Sequence, residues 1–287
     1  MANQEPRWRA VPSIIDYRLS MTGEDQIASD QLTALEGAVN LRDLGGYPSS
    51  DGRAVRRGRL FRSGTLSALT DTDLAALEQA RVRTVIDLRL PSQIEMFGPD
   101  RIPHGVQHLS LPMGGGDVSE VVHEAIRSGR FASLPDVETV NRAILSEDRH
   151  NLTEVIRVVA EPERLPLIFH CIGGKDRTGV VAALLLSLLG VPWAMVREDY
   201  VRSNEHVAEA IDAQLADLAH AAAARTGRQP APVDLEAAKR FSMVEENDLD
   251  AVRDEMIGDA GSIELYLHDK LGISDETVQC LRDELLE

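Results

Sequence analysis

The chain has 287 residues, of which 43% are hydrophobic and 27% are charged, so it is long enough to bury one large core. Its formal net charge of −17 argues against broad binding to nucleic acid or to an anionic membrane surface, although a local phosphate pocket is compatible with it. The only two cysteines, Cys171 and Cys280, cannot form a disulfide framework, which fits a reducing compartment.

The first half of the chain alternates short apolar runs with helical patterns. Residues 1–36 are mixed in character and are treated as an N-terminal extension, and residues 37–287 as one domain. Strands are predicted over 84–88, 106–111 and 165–169, with weaker candidates at 39–41 and 60–61. Helices are predicted between them, over 71–80, 118–128, 137–146 and 151–160. This alternation predicts an α/β domain with a central, mainly parallel sheet flanked by helices.

The second half of the chain is almost wholly helical. Residues 180–189 are apolar on all sides, which predicts a buried central helix that ends at Gly190 and Pro192. Further helices are expected over 192–203, 204–224 and 234–258, with a loop rich in glycine and proline before the last. Two final helices, over 262–272 and 274–286, each open with a serine suited to an N-cap.

The most informative segment, residues 170–179, lies between an apolar strand and the apolar helix. A cysteine and an arginine six positions apart, bridged by glycines, predict a loop that wraps a phosphate dianion. The Cys171 thiolate would attack phosphorus while the Arg177 guanidinium holds two oxygens. The dipole of the next helix and the arginine are expected to lower the thiol pKa from about 8.5. The predicted phosphate-binding residues are Ile172, Gly173, Gly174, Lys175, Arg177 and Thr178.

Three residues beside the nucleophile have predicted supporting roles. His170 is expected to bond to the loop backbone, Thr178 to donate a hydrogen bond to the sulfur, and Gly179 to let the helix start pack closely. The alternative is a buried structural cysteine with an arginine in a nearby salt bridge. The spacing excludes the nucleotide-binding pattern G-x-x-x-x-G-K-[ST].

The leaving oxygen needs a proton, so a general acid is required. Asp176, inside the loop, is the favoured candidate. Asp87, at the end of a predicted strand, is the close competitor, and its alternative role is an ion pair with Arg89 or a bond to loop backbone. Asp117 is a third candidate, for which a plain helix N-cap is the favoured interpretation.

Two other groups of polar residues stand out in the sequence, a pair of histidines and a run of arginines. His104 and His108 lie near a strand but lack cysteine or carboxylate partners in the sequence, so no zinc site is expected. A basic run could line the rim of the pocket and steer phosphorylated substrates, or it could be a solvated surface with scattered ion pairs. This run consists of Arg53, Arg56, Arg57, Arg59 and Arg62.

The loop, His-Cys-x-x-Gly-Lys-Asp-Arg-Thr-Gly over 170–179, resembles that of bacterial tyrosine phosphatases of the mycobacterial protein tyrosine phosphatase B type. The resemblance extends over 37–286, with further motifs in the same order at 40–47, 59–63, 87–89 and 199–204. It implies a cysteine phosphatase fold and hydrolysis of phosphotyrosine through a phosphocysteine intermediate. Activity on phosphoserine, phosphothreonine or phosphoinositides often accompanies it, and no metal or other cofactor is implied.

The resemblance also assigns roles by position. Cys171 becomes the nucleophile, Arg177 the phosphate clamp, and Asp176 and Lys175 loop residues that shape catalysis and specificity. The extra cation Lys175 favours substrates with additional phosphate, unless it points to solvent or pairs with an acid. A two-helix, lid-like insertion is expected over about 204–258, and the alternative is a fixed helical subdomain.

The sequence therefore predicts a phosphatase for phosphate monoesters, with protein phosphotyrosine as the favoured substrate. The alternatives are a phosphoinositide phosphatase, a non-catalytic phosphate-binding module, and a thiol redox or arsenate-reducing enzyme, for which the distant Cys280 is a poor resolving cysteine. The expected partner is a phosphorylated protein or phosphoinositide substrate, without nucleic acid or stable membrane insertion. Because no signal peptide or spanning segment is present, we expect a cytoplasmic protein, or one exported without a cleaved signal.

Overall fold

The central sheet has five strands in the order β1-β2-β5-β3-β4. We describe it from a computed structural model that covers residues 32, 35–128, 130–206 and 235–287. Strand β1 is antiparallel to β2, and every other neighbouring pair is parallel. The predicted mainly parallel sheet is therefore confirmed. The strands are β1 Arg42–Asp43, β2 Leu60–Ser63, β3 Thr84–Asp87, β4 Gln107–Ser110 and β5 Leu167–His170.

Strand β5 lies at the centre of the sheet, and all residues of β2, β3 and β5 are buried. Strands buried on both faces are typical of parallel sheets covered by helices. In the strand register, Ser63 of β2 and Asp87 of β3 both lie opposite His170 of β5. Three strands therefore end at the same level, immediately before Cys171.

Helices cover both faces of the sheet. Helix α6 is apolar almost throughout and is the central element of the larger core cluster, while Phe61, Val85 and Ile168 belong to a smaller cluster. The helices are α1 Asp71–Gln79, α2 Pro91–Phe97, α3 Asp117–Ser128, α4 Val137–Glu147, α5 Arg149–Val159, α6 Asp176–Leu188, α7 Trp193–Val201, α8 Leu235–Ser242, α9 Glu246–Ala260, α10 Ile263–Asp269 and α11 Asp275–Leu285.

Most predicted elements agree with this structure, including the two serine N-caps. Ser262 accepts from the amide of Leu265, and Ser274 accepts from the amide of Thr277. The weak strand at 39–41 was misplaced, because β1 begins only at Arg42. Helix α2 was not predicted at all, although Pro91 occupies its first turn, a favoured place for proline.

The predicted lid-like stretch, residues 204–258, is described only in part. Residues 207–234 lie outside the described residues, as does the predicted extension up to residue 31. The stretch expected as one helix over 234–258 is broken into α8 and α9. Helix α9 buries Leu249, Val252 and Met256 completely in the main core, and whether the stretch acts as a lid stays a prediction. Both domain boundaries stay predictions.

Candidate active site

The nucleophile candidate Cys171 directly follows the central strand, and α6 begins at Asp176 after a short loop. Gly174 in this loop has φ of +66°, and a Cβ there would lie 2.6 Å from the carbonyl oxygen of Ser63. Only glycine tolerates both this conformation and this close approach to β2. The loop therefore stands at the carboxyl end of a parallel sheet, the usual place for ligands in α/β proteins.

The environment of Cys171 suits a thiolate. The residue is 3% exposed, and burial alone raises the pKa of its thiol. The positive charge of Arg177, with the hydroxyl and amide of Thr178, outweighs burial and the charge of Asp176, so the thiol pKa lies below its ordinary value. The Thr178 hydroxyl is buried and makes no further hydrogen bond within the described part of the chain.

The Arg177 guanidinium is fixed on one side and open on the other. Its Nη1 donates to the side-chain oxygen of Gln93 at 2.7 Å and to the main-chain oxygen of Leu88 at 3.2 Å. Among the described residues, no protein acceptor engages Nε or Nη2. Those two groups form one planar edge that can bind two phosphate oxygens. Sequence reasoning missed Gln93 because it missed α2.

Lys175 is turned inward, and its side chain is 9% exposed. Its Nζ lies 2.8 Å from Oδ1 of Asp176 and donates to the main-chain oxygen of Phe241 at 2.9 Å. It also stands 5.2 Å from the centroid of the Phe241 ring. Lys175 therefore does not point to solvent. It pairs with an acid, which is the other alternative that the sequence left open. Both charged groups of this pair belong to the loop.

Asp87 lies in a different setting from Asp176. Its carboxylate is fully buried and accepts hydrogen bonds from Nε of Arg89 at 2.9 Å and from Nη2 of Arg89 at 2.8 Å. This is the ion pair that the sequence left open as the alternative to catalysis. Asp117 is the exposed first residue of α3.

Asp148 is an acid near the site that sequence reasoning missed. It lies between α4 and α5, and its Oδ2 accepts from the amides of Gly114 and Gly115 at 2.9 and 2.8 Å. Burial raises the pKa of Asp148 above its usual range, although these amides and the charge of Arg177 act against it. No local motif marks this residue, because its position depends on how the helices pack on the 114–115 turn.

His170 connects the loop to a buried acid. Its Nδ1 lies 3.1 Å from the carbonyl oxygen of Cys171, and its Nε2 lies 2.9 Å from Oδ2 of Asp100. The same Asp100 contacts His108 at 3.0 Å and Arg89 at 2.8 Å. His108 thus has a carboxylate partner, contrary to the sequence expectation. Asp87, Asp100 and His108 also lie close together, but both carboxylates already pair with Arg89.

The basic run is divided between the interior and the surface of the protein. Arg62 is fully buried, so it cannot meet substrates at the surface. Arg53 pairs with Asp51 at 2.8 Å, and Arg59 pairs with Glu284 at 3.4 Å. Among the partly exposed arginines, Arg53, Arg56 and Arg59 form scattered ion pairs, as the alternative interpretation predicts.

Comparison with known proteins gives a consistent result. Residues 33–287 match a family model described as the tyrosine phosphatase family. The triple specificity protein phosphatase PtpB of Mycobacterium tuberculosis is 29% identical over 289 residues, covering 88% of this chain and 98% of that protein. A putative tyrosine-protein phosphatase of Cupriavidus necator is 30% identical, with 88% and 87% covered. The crystal structure of TpbA from P. aeruginosa aligns with 17% identity and a TM-score of 0.33, covering 70% of this chain and 90% of TpbA.

Proposed function

The chain belongs to the tyrosine phosphatase family, and we propose that it hydrolyses phosphate monoesters, with protein phosphotyrosine as its main substrate, at the loop of residues 171–177. The observation that carries this proposal is the pairing of two groups in one loop. The Cys171 thiol has a lowered pKa, and the Arg177 guanidinium presents a planar edge that no described residue engages. No described helix is long and apolar enough to cross a bilayer. A cytoplasmic location, or export without a cleaved signal, stays a prediction.

The reaction follows from these groups in two displacements. The Cys171 thiolate attacks phosphorus in line, the S–P bond forms, and the bond to the ester oxygen breaks. Arg177 and the loop amides bind the oxygens on which charge accumulates in the transition state. Water then attacks the phosphocysteine, which releases inorganic phosphate and restores the thiolate. The Thr178 hydroxyl donates to the sulfur and makes it a better leaving group in this second step.

The departing ester oxygen needs a proton, and we propose Asp176 as its source. Its side chain is 20% exposed and stands at the start of α6 in the loop itself, whereas Asp87 is closed off by Arg89. With Asp176→Asn, the rate should fall more for an alkyl phosphate than for para-nitrophenyl phosphate, because a good leaving group needs less protonation. The same defect in Asp148→Asn, with Asp176→Asn near wild type, would move this role to Asp148.

The first test is phosphate release from para-nitrophenyl phosphate, without metal and with reductant. Cys171→Ser should lose activity by a factor on the order of 10⁴ or more, as expected when a covalent nucleophile is removed. The matched control is Cys280→Ser, since Cys280 is exposed on α11 and should leave the rate unchanged. An inactive wild type that still binds vanadate would support the phosphate-binding module instead. A loss of activity in Cys280→Ser as well would mean that Cys280 contributes to the phosphatase reaction, contrary to a mechanism with one cysteine.

Phosphoinositide hydrolysis is the second candidate. The cation of Lys175 lies in the loop, and it could meet a second phosphate only by leaving its pair with Asp176. The similar PtpB is named a triple specificity protein phosphatase. Lys175→Met should lower the rate on a phosphoinositide more than the rate on a phosphotyrosine peptide. Equal losses on both substrates would leave phosphotyrosine as the main substrate and confine Lys175 to orienting Asp176.

A further inference from the structure

The carbonyl groups of the loop are held from its outer side. Each carbonyl oxygen from residue 171 to residue 175 lies within hydrogen-bond distance of a protein nitrogen. In a trans peptide the C=O and the following N–H point in opposite directions. The amides of residues 172–176 therefore face the inner side of the loop, where an anion would sit. The contacts are His170 Nδ1 to Cys171 O at 3.1 Å, Thr65 N to Ile172 O at 2.8 Å, Asn40 Nδ2 to Gly173 O at 3.0 Å and to Gly174 O at 2.8 Å, Arg62 Nη2 to Gly174 O at 2.7 Å, and Gly179 N to Lys175 O at 2.6 Å.

Two of these donors are side chains from distant parts of the sequence. Asn40 and Arg62 are 2% and 0% exposed, and together they hold the carbonyls of the two loop glycines. The other donors are backbone amides, or a histidine adjacent to the cysteine. The middle of the loop, where glycine makes the backbone most free to rotate, thus depends on side chains that the loop does not contain.

Asn40 and Arg62 are oriented by one buried acid. Asp199 lies 2.5 Å from Nη1 of Arg62 and 2.9 Å from Nε of Arg42. Arg42 in turn donates through Nη1 to the side-chain oxygen of Asn40. Because Arg42 can only donate, the oxygen of the Asn40 amide faces Arg42 and its NH₂ faces the loop carbonyls. Burial would raise the pKa of Asp199, but the two guanidiniums hold it well below its usual range, so the acid stays charged.

We propose that Asn40 and Arg62 are positioning residues, which orient the amides of Gly174 and Lys175 toward the bound phosphoryl group without touching it. This inference rests on the proposed phosphatase function. If either donor is lost, a glycine peptide is free to turn its carbonyl oxygen toward the dianion, which repels it. Donors that are aligned before the reaction are the ones that stabilise developing charge effectively.

Two substitutions of Asn40 separate the loss of donors from other effects. Asn40 has φ of +56°, and glycine adopts this conformation without strain, so Asn40→Gly removes both donors at an unchanged backbone. Asn40→Asp keeps an acceptor for Arg42 but places a carboxylate oxygen against two carbonyls. The matched control is Asn141→Asp, since Asn141 is also fully buried and donates to the main-chain oxygen of Asp248 at 3.1 Å.

The readouts are the Kd for tungstate by calorimetry and the Cys171 pKa from the pH dependence of alkylation by iodoacetamide, both with melting temperatures. Both Asn40 variants should raise the tungstate Kd about tenfold or more, raise the thiol pKa, and lower kcat/KM by about 10²-fold, the usual effect of losing one such donor. Asn141→Asp should lower the melting temperature while the Kd and the thiol pKa stay at wild-type values. Wild-type Kd and thiol pKa in both Asn40 variants would overturn the proposal, whatever their stability.

A third variant keeps the test decisive if the Asn40 variants fail to fold. Arg62→Lys retains the charge beside Asp199, but one ammonium cannot replace a planar fork that reaches both Asp199 and Gly174. It should weaken tungstate binding in the same direction, and wild-type affinity would count against the proposal. An inactive wild type whose tungstate Kd still depends on Asn40 would refute the phosphatase assignment and leave the positioning role intact. An active wild type whose variants keep the wild-type tungstate Kd would support the phosphatase assignment and refute the positioning role.

Discussion

Two buried clusters of charged side chains flank the loop, one on each side of β5. On the β2 side, Arg42 and Arg62 share the single acid Asp199. On the β3 side, Arg89 lies between Asp87 and Asp100. The first cluster therefore holds one more cation than acids, and the second holds one more acid than cations, apart from the two histidines that contact Asp100.

The clusters differ in how they reach the loop. In the β2-side cluster, Arg62 bonds directly to the carbonyl oxygen of Gly174, and Arg42 holds Asn40, which bonds to the carbonyls of both loop glycines. Arg42 keeps its charge across the neutral range, since even its lowered pKa is about 10. The β3-side cluster contacts the loop through His170 and through Thr65, whose hydroxyl accepts from Arg89 and whose amide donates to the carbonyl oxygen of Ile172, and it reaches solvent through the partly exposed His108. We therefore expect the β2 side to fix the geometry of the loop glycines, whereas the β3 side contains His108, whose charge can change near neutral pH.

The largest effect should come from Asp199→Asn. Two buried guanidiniums would lose the one acid that pairs with them in the described part of the chain. Breaking a buried ion pair in this way costs roughly 3–5 kcal/mol in the free energy of unfolding. Urea unfolding followed by circular dichroism measures it. The control Asp51→Asn, at the exposed pair with Arg53, should leave unfolding nearly unchanged. If Asp199→Asn changed the free energy of unfolding as little as the control does, the ion pairs of the β2-side cluster would not hold this side of the loop in place.

This cluster also marks the limit of sequence reasoning. Local signals were sufficient for the apolar strands, the buried helix α6 and the Cys171 to Arg177 loop, because spacing and composition within ten residues define them. They could not bring Arg62 and Asp199, 137 positions apart, into one ion pair. From the sequence alone, Arg62 is therefore indistinguishable from the neighbouring arginines of the basic run, which lie at the surface. Gln93 and Asp148 were missed for the same reason, since packing of whole helices places them near Arg177.

A smaller, pH-dependent effect should come from Asp100→Asn on the β3 side. Burial would raise the pKa of Asp100, but His108, His170 and Arg89 hold it well below its usual range. A depressed pKa contributes stability above the unfolded value of about 3.9 and loses it as pH falls further. The variant should therefore be roughly 1.5–3 kcal/mol less stable at pH 7, a range typical of hydrogen bonds to a charged group.

The difference between Asp100→Asn and wild type should shrink below about pH 4, as the Asp100 carboxylate of the unfolded wild type takes up a proton. Urea unfolding at pH 7, 5 and 3.5 checks this trend. A difference that stays constant across these values would show that Asp100 contributes by packing, not by charge, and would remove the electrostatic contrast between the two clusters.

The smallest effect should come from His108→Gln, because this side chain is 37% exposed. The hydrogen bond to Asp100 raises the pKa of His108, with Asp87 acting in the same direction and burial and Arg89 acting against it. A raised pKa contributes stability that is complete below about 6.5 and is lost as pH rises through the folded-state value. The melting temperature should therefore differ from wild type at pH 6 and converge with it at pH 9. Glutamine can still donate a hydrogen bond to Asp100, so the variant differs from wild type mainly in the charge at this position. If the difference in melting temperature were the same at pH 9 as at pH 6, protonation of His108 would not contribute to stability. The β3 side would then be as insensitive to pH near neutrality as the β2 side.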